Sequence, residues 1–214
     1  MTAKEKNGVA RKQRVRNRNQ RKIITAAEKI FSEKGYIAAT VQEIADLVDI
    51  PKANIHYYYP TKKDLYLSVI KNLRDIWKSD IGILMNEDDA KTALSGYVRS
   101  LLDISFENPR AYKIWSWEMM FGAKNLSKEI KQSMIKRHSQ ETELIQKWID
   151  TGQIIPIEPQ NLLFFLWGVT RHFSDLRDQI KILNNNKYLS KEQREKVYRD
   201  AENMVVRGVI IENR

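Results

Sequence analysis

Residues 40–60 read TVQEIADLVDIPKANIHYYYP. Thr40 followed three residues later by Glu43 is a capping box, in which each residue satisfies an orphan N–H of the other. Behind it Ile44, Ala45 and Val48 recur at helical spacing and predict a short helix over about 41–48. Asp49-Ile50 interrupts the pattern. Pro51 suits a first helical turn, so a second short helix is predicted over Lys52–Tyr58, ending before Pro60. Two short helices across a tight turn form a helix-turn-helix, whose second helix enters the DNA major groove with its N-terminal residues against base edges. Those residues here are Lys52, Ala53 and Asn54. Lys can donate to guanine O6 and N7, Asn can pair with adenine N6 and N7, and Ala can touch a thymine methyl. Ile55 points back to the core. Thr40 and Gln42, opening the first helix of the pair, join the DNA-facing set.

Upstream, Ile23, Ala27, Ile30 and Phe31 form the stripe of a helix over about 19–34, with Gly35 placed for a left-handed cap. The chain before it is basic. Residues 1–22 hold nine Lys or Arg against Glu5, so they carry +8 of the net charge of +10. Such an arm, expected to be flexible over 1–18, fits a phosphate backbone through counterion release. It fits a solvated tail equally well. Downstream, Thr61 is expected to cap a fourth helix with Asp64 in its first turn. Lys62 and Lys63 stand at the positive end of that helix dipole, where a cation costs on the order of 0.3–1 kcal/mol. A phosphate held by Lys62 would remove the conflict; two ordinary solvated lysines are the alternative.

The rest reads as helix after helix: 90–106, 108–121, 127–151, 159–180 and 190–211. No strand candidate or repeat interrupts them. Gly and Pro number only 8 and 5 in 214 residues, few for a chain of many tight turns. The fold class is therefore all-α. A three-helix domain at 19–66 follows the arm, and a larger helical domain occupies 67–214 and holds all five Trp. The densest apolar run, 162–169, is far short of the roughly 20 residues that cross a bilayer. The basic start has no apolar core and is no secretory signal. The absence of Cys suits a cytoplasmic protein.

From Ala26 to Tyr66 the chain resembles the DNA-binding domain of TetR regulators. The resemblance rests on Ala27, Phe31, Lys34-Gly35-Tyr36, Thr40-Val41, Ile44-Ala45, Ile50-Pro51-Lys52-Ala53, Tyr57-Tyr58-Tyr59-Pro60, Lys62 and Leu65. Asp49 stands where many members have Gly, His56 where many have Tyr, and Tyr59 where many have Phe. The resemblance implies that His56, Tyr57 and Tyr58 lie along the DNA backbone and that Tyr59 packs inward. It also implies a repressor that binds a palindromic operator as a homodimer and answers to a small-molecule effector.

The C-terminal half resembles the pyrimidine-utilisation (RutR-like) branch, through Trp77, Asn108-Pro109, Glu118-Met119, Gly122-Ala123, the 148–156 stretch, Pro159-Gln160, Trp167, Thr170, His172 and Asp175. Periodicity adds a separate observation. The stretch 162–173 is apolar nearly all round, so it must be buried on two sides. Trp167, Arg171 and Asp175, spaced by four, are assigned to a ligand cavity with Trp77, Trp117 and Glu118. Phe165, Val169, His172 and Phe173, with Val205 and Val209, are assigned to the dimer interface. The bland alternatives are Trp residues that serve only as core and a structural Glu118–Arg171 pair. The branch has Gln at the position of Arg171 and an apolar residue at that of Lys78. An Arg neutralised by Glu118 or Asp175 leaves a pyrimidine-like ligand; an unneutralised one asks for a planar carboxylate. No metal or cofactor is expected. His172 and Asp175 lack a second pair at ligand spacing, and the chain has neither a phosphate-cradling Gly loop nor a nucleophile elbow, so an enzyme is the weaker reading. An RNA-binding or architectural protein, and a basic membrane-surface protein, are the other rivals. The arm has no apolar residues to insert into a bilayer.

Overall fold

The structure, a computed structural model, describes residues 3–211, with side chains described for 13–75 and 82–211. The described residues form ten helices: α1 (Ala3–Ala38), α2 (Val41–Leu47), α3 (Lys52–Tyr58), α4 (Lys62–Met85), α5 (Ala90–Glu107), α6 (Pro109–Met120), α7 (Lys128–Asp150), α8 (Pro159–Asp175), α9 (Arg177–Leu183) and α10 (Lys191–Val209). The all-α expectation holds. Among the described residues the only bridge outside the helices joins Ile154 to Ile210. None of these helices is long and apolar enough to cross a membrane.

The helices begin where the local chemistry asks for it. Thr40 and Glu43 form the expected capping box on α2, and Ser190 and Gln193 form another on α10. Asp89 and Ser127 cap α5 and α7 through side-chain oxygens. Each such cap contributes about 1 kcal/mol. Asp49, in the turn of the helix pair, adopts φ 52, which an Asp tolerates better than most residues.

Two boundaries differ from the sequence reading. First, α1 begins at Ala3, not near Asn19, so most of the expected flexible arm is helical. Lys, Arg, Gln and Ala dominate that stretch, all good helix formers, and it contains no Pro. Second, the eighth helix is two, because Leu176 (φ −109, ψ 31) breaks it between α8 and α9.

The chain divides into two compact units, residues 1–73 with 117–125 and residues 74–116 with 126–214. The chain thus crosses from the first unit to the second inside α4, returns inside α6 and leaves again between Asn125 and Leu126. The first unit is built on Ile23, Ala27, Phe31, Ile44, Ala45, Ile55, Leu65, Val69 and Leu73, all at most 1% exposed. Trp117 belongs to it and packs on Gly35, whose φ is 71. A Cβ added there would lie 2.1 Å from the indole ring, so Gly is needed for both backbone and space. In the second unit α5 is central, with α8 and α10 packed on it. Leu94, Tyr97 and Leu102 meet Ile145, Trp148, Leu162, Leu163 and Val209 in one core.

Candidate DNA-binding face and effector pocket

In the first unit, α2 and α3 form the predicted pair. Ile55 is fully buried, while Lys52, Ala53, Asn54, His56 and Tyr57 are exposed and Tyr58 half-buried. Tyr57 and Tyr58 meet edge to face at 5.1 Å. His56 Nδ1 lies 3.0 Å from the Pro60 carbonyl, which ties the end of α3 to the loop after it. Gln42 is exposed and donates to Asp46 at 2.7 Å. Thr40 is spent on its cap: its hydroxyl bonds Glu43, and Lys34 bonds the same carboxylate. The Lys34 hydrogen bond, then those of Thr40, holds the Glu43 carboxyl at about 2.

The structure corrects the phosphate role of Lys62. Its ammonium lies 2.8, 3.2 and 3.0 Å from the carbonyls of Tyr36, Ile37 and Ala39 and sits over the Tyr36 ring at 4.7 Å. All three protons therefore have acceptors in the stretch after Gly35 that ends α1 and leads into α2. The dipole conflict is also resolved from within, since Thr61 and Asp64 cap each other at the start of α4. Of the two lysines, Lys63 is the exposed one.

The second unit holds a cavity of about 440 Å³, lined by residues of α5, α6, α7 and α8, among them Tyr112, Trp115, Glu141, Phe164, Trp167 and Arg171. Trp167 donates to Tyr97 Oη at 2.8 Å. His138 stacks on Phe164 with ring centroids 5.8 Å apart and an interplanar angle of 5°. Arg137 Nε donates to Glu141 Oε1 at 2.8 Å, and that carboxylate is fully buried. Burial, then the Glu141 charge, pushes the Tyr97 hydroxyl above its ordinary value.

Of the expected ligand residues, Trp167 and Arg171 line this cavity. Asp175 stands behind Arg171, 3.2 Å from Nη2, with Ser116 Oγ 2.8 Å from both carboxylate oxygens. Trp117 and Glu118 are placed elsewhere, inside the first unit. Glu118 is 3% exposed and accepts from Tyr66 Oη at 2.9 Å, Asn125 N at 2.7 Å and Asn125 Nδ2 at 3.0 Å. Neither forms part of the cavity, because this hydrogen-bonded loop and the Gly35 notch claim them. The side chain of Trp77 lies outside the described residues. Sequence reasoning missed Arg137, His138 and Glu141. Their signal was a stripe on α7 in which Met134, His138 and Glu141 share a face with Ile145 and Trp148.

The expected interface residues also separate. Phe165 (64% exposed), Val169 (49%) and His172 form an outward stripe on α8 that continues to Leu176. Phe173 instead packs on Phe106 at 5.6 Å, and Val209 is 7% exposed in the core. Val205 is half-buried against that core. On α10 the outward apolar residue is Met204, 69% exposed. Gly168 and Gly208 have nothing within 4 Å of where a Cβ would stand.

A buried-core helix pair that exposes Lys52, Ala53 and Asn54, joined to a helical unit with its own cavity, is the architecture of a DNA-binding transcriptional regulator. Residues 23–69 match the family described as bacterial regulatory proteins, tetR family, and residues 70–212 match that described as YcdC-like protein, C-terminal region. The chain belongs to the TetR family and is a transcriptional regulator, not an enzyme. It is 31% identical over 159 residues to the HTH-type transcriptional regulator RutR of Escherichia coli K12, a match covering 74% of this chain and 75% of RutR. That similarity supports the RutR-like branch. The biofilm operon negative regulator IcaR of Staphylococcus epidermidis is 28% identical over 113 residues, covering 53% of this chain and 60% of IcaR. Two solved structures share the fold. A TetR family regulator from Marinobacter aquaeolei superimposes with a TM-score of 0.69 at 19% identity, covering 93% of this chain and all of that one. The ketosteroid regulator KstR2 of Mycobacterium tuberculosis gives 0.72 at 15% identity, covering 91% and 96%.

Proposed function

We propose that the chain is an effector-responsive repressor that binds a palindromic operator as a homodimer. The observation that carries the DNA half is the exposure of Lys52, Ala53 and Asn54 on a helix anchored by fully buried Ile55. Lys52 and Asn54 read bases, and Tyr57 and Lys63 hold phosphates. Asn54→Ala should cost about 1–3 kcal/mol of operator affinity and relax preference at one base pair. A binding-site selection that returns the wild-type consensus with unchanged affinity would remove Asn54 from the readout.

The homodimer rests on the outward stripe of α8 with Met204 of α10. Bare Gly168 and Gly208 let a second helix approach closely. Two-fold symmetry also matches a palindromic site. A small planar effector is assigned to the aromatic cavity. It would act on α6, which supplies Tyr112 and Trp115 to the cavity and Trp117 and Glu118 to the DNA-binding unit.

The basic N-terminal segment supplies affinity without sequence preference. Arg14, Arg16, Arg18, Arg21 and Lys22 are all exposed on α1. Deleting residues 1–18 should flatten the dependence of log K on log salt by several units while the remaining chain stays folded, each lost phosphate contact removing about 0.9 from the slope. An unchanged slope would leave the segment with a solubility role only.

A further inference from the structure

The chemistry of the cavity's occupant is constrained by what the cavity already satisfies and what it leaves open. Its charges are balanced from within. Arg171 has Asp175 at 3.2 Å, and Arg137 has Glu141 at 2.8 Å. An anionic ligand would gain no unpaired cation and would approach the Glu141 carboxylate. The case for a planar carboxylate, which needs an Arg171 without a counter-ion, is thereby removed. A cationic ligand would meet two guanidinium groups. A neutral occupant remains.

Hydrogen-bonding capacity is less complete. Among the described residues, six buried side-chain nitrogen or oxygen atoms have no partner, and three of them, His138 Nδ1, Glu141 Oε2 and Arg171 Nε, belong to residues lining this one cavity. Buried polar atoms are nearly always paired, so a cluster of open ones marks a place where something else supplies the partner. Glu141 Oε2 can only accept from a donor, and Arg171 Nε–H can only donate to an acceptor.

Size gives the third constraint. An apolar cavity of about 150 Å³ holds benzene. At about 440 Å³ this one is about three times as large, and Tyr112, Trp115, Phe164 and Trp167 give it aromatic walls. We infer that the cavity takes a neutral planar aromatic molecule of two or three rings, which carries an N–H or O–H donor for Glu141 and a carbonyl acceptor for Arg171 along one edge. This inference rests on the cavity being the effector site.

The test is a charge series on one ring system. Naphthalene-2-carboxamide, naphthalene-2-carboxylate and naphthalene-2-carboxamidinium, with benzamide as the smaller neutral probe, are titrated calorimetrically into the full-length protein. The carboxamide should bind about tenfold or more tighter than each of the other three. Glu141→Leu should erase its advantage. Glu141→Gln, which keeps a carbonyl oxygen, should retain part of it and serves if the Leu variant does not fold. A carboxylate that binds as tightly as the carboxamide overturns the neutral ligand, and benzamide binding as tightly overturns the ring count. No binding by any probe at millimolar concentration overturns the site. Operator affinity is measured in the same samples. Carboxamide binding with operator affinity unchanged would uphold the ligand class and remove the effector role.

Discussion

In the proposed homodimer, Phe165→Glu should leave a folded monomer. Phe165 is 64% exposed in the single chain, so the substitution costs the isolated subunit little. At a two-fold interface the same residue approaches its own copy or a near neighbour, and a carboxylate there would be desolvated without a partner. A penalty of at least about 3 kcal/mol is expected, roughly a hundredfold or more in the dissociation constant. Sedimentation over a micromolar concentration series measures it, with circular dichroism to show an unchanged helix content. Operator binding should fall more steeply, because a monomer loses the second half-site. A variant that sediments as the wild type does would move the interface away from α8. Val209→Glu is the contrasting substitution. Val209 belongs to the core on α5, so it should destabilise the subunit itself.

Glu118→Ala should destabilise the DNA-binding unit by roughly 3–5 kcal/mol. The carboxylate receives one hydrogen bond from Tyr66 and two from Asn125. Its removal strands those donors in a region where the acceptor is 3% exposed, and each stranded donor costs about 1–3 kcal/mol. Glu118→Gln keeps one acceptor oxygen but turns an NH₂ group toward a donor, so a smaller loss of about 1–2 kcal/mol is expected. Urea unfolding of the two variants beside wild type gives both numbers. An alanine variant within 1 kcal/mol of wild type would show that water replaces the carboxylate without cost. Should the glutamine variant fold well yet no longer answer its effector, the Tyr66–Glu118–Asn125 cluster would also carry the coupling along α6.

The helix pair was legible because its signals are local. Thr40 with Glu43, Pro51 before Lys52 and Pro60 after Tyr59 each act within one turn of chain. The α1 extension was hidden by its charge. A run of Lys and Arg reads as a solvated tail, yet those residues have good helix propensity and contain one Gly and no Pro across 1–22. The break at Leu176 carries neither Gly nor Pro, so periodicity alone ran through it. Phe173 and Val209 were misplaced for another reason. Apolar spacing says that a face is buried, but not whether its own subunit or a second one covers it. Glu118 shows the limit most clearly: its partner Tyr66 is 52 residues away, and no pattern of spacing along α6 points to it. Arg171 lines the cavity, and its neutralising Asp175 was readable as the residue one turn on.

The ring of Trp117 seated on Gly35 bears on how such regulators can be recombined. The DNA-binding unit is discontinuous: residues 1–73 are completed by 117–125, contributed from beyond α5. A chimaera joined in α4 would give the N-terminal piece a foreign sequence against the Gly35 notch and beside Tyr66. If α3 reads the operator as proposed, specificity should be exchangeable between relatives as individual side chains on α3, but not as an N-terminal block alone. A donor block would have to bring its own counterpart of Trp117, Glu118 and Asn125, so inheritance of these two parts of the chain should be coupled despite the 43 residues between them.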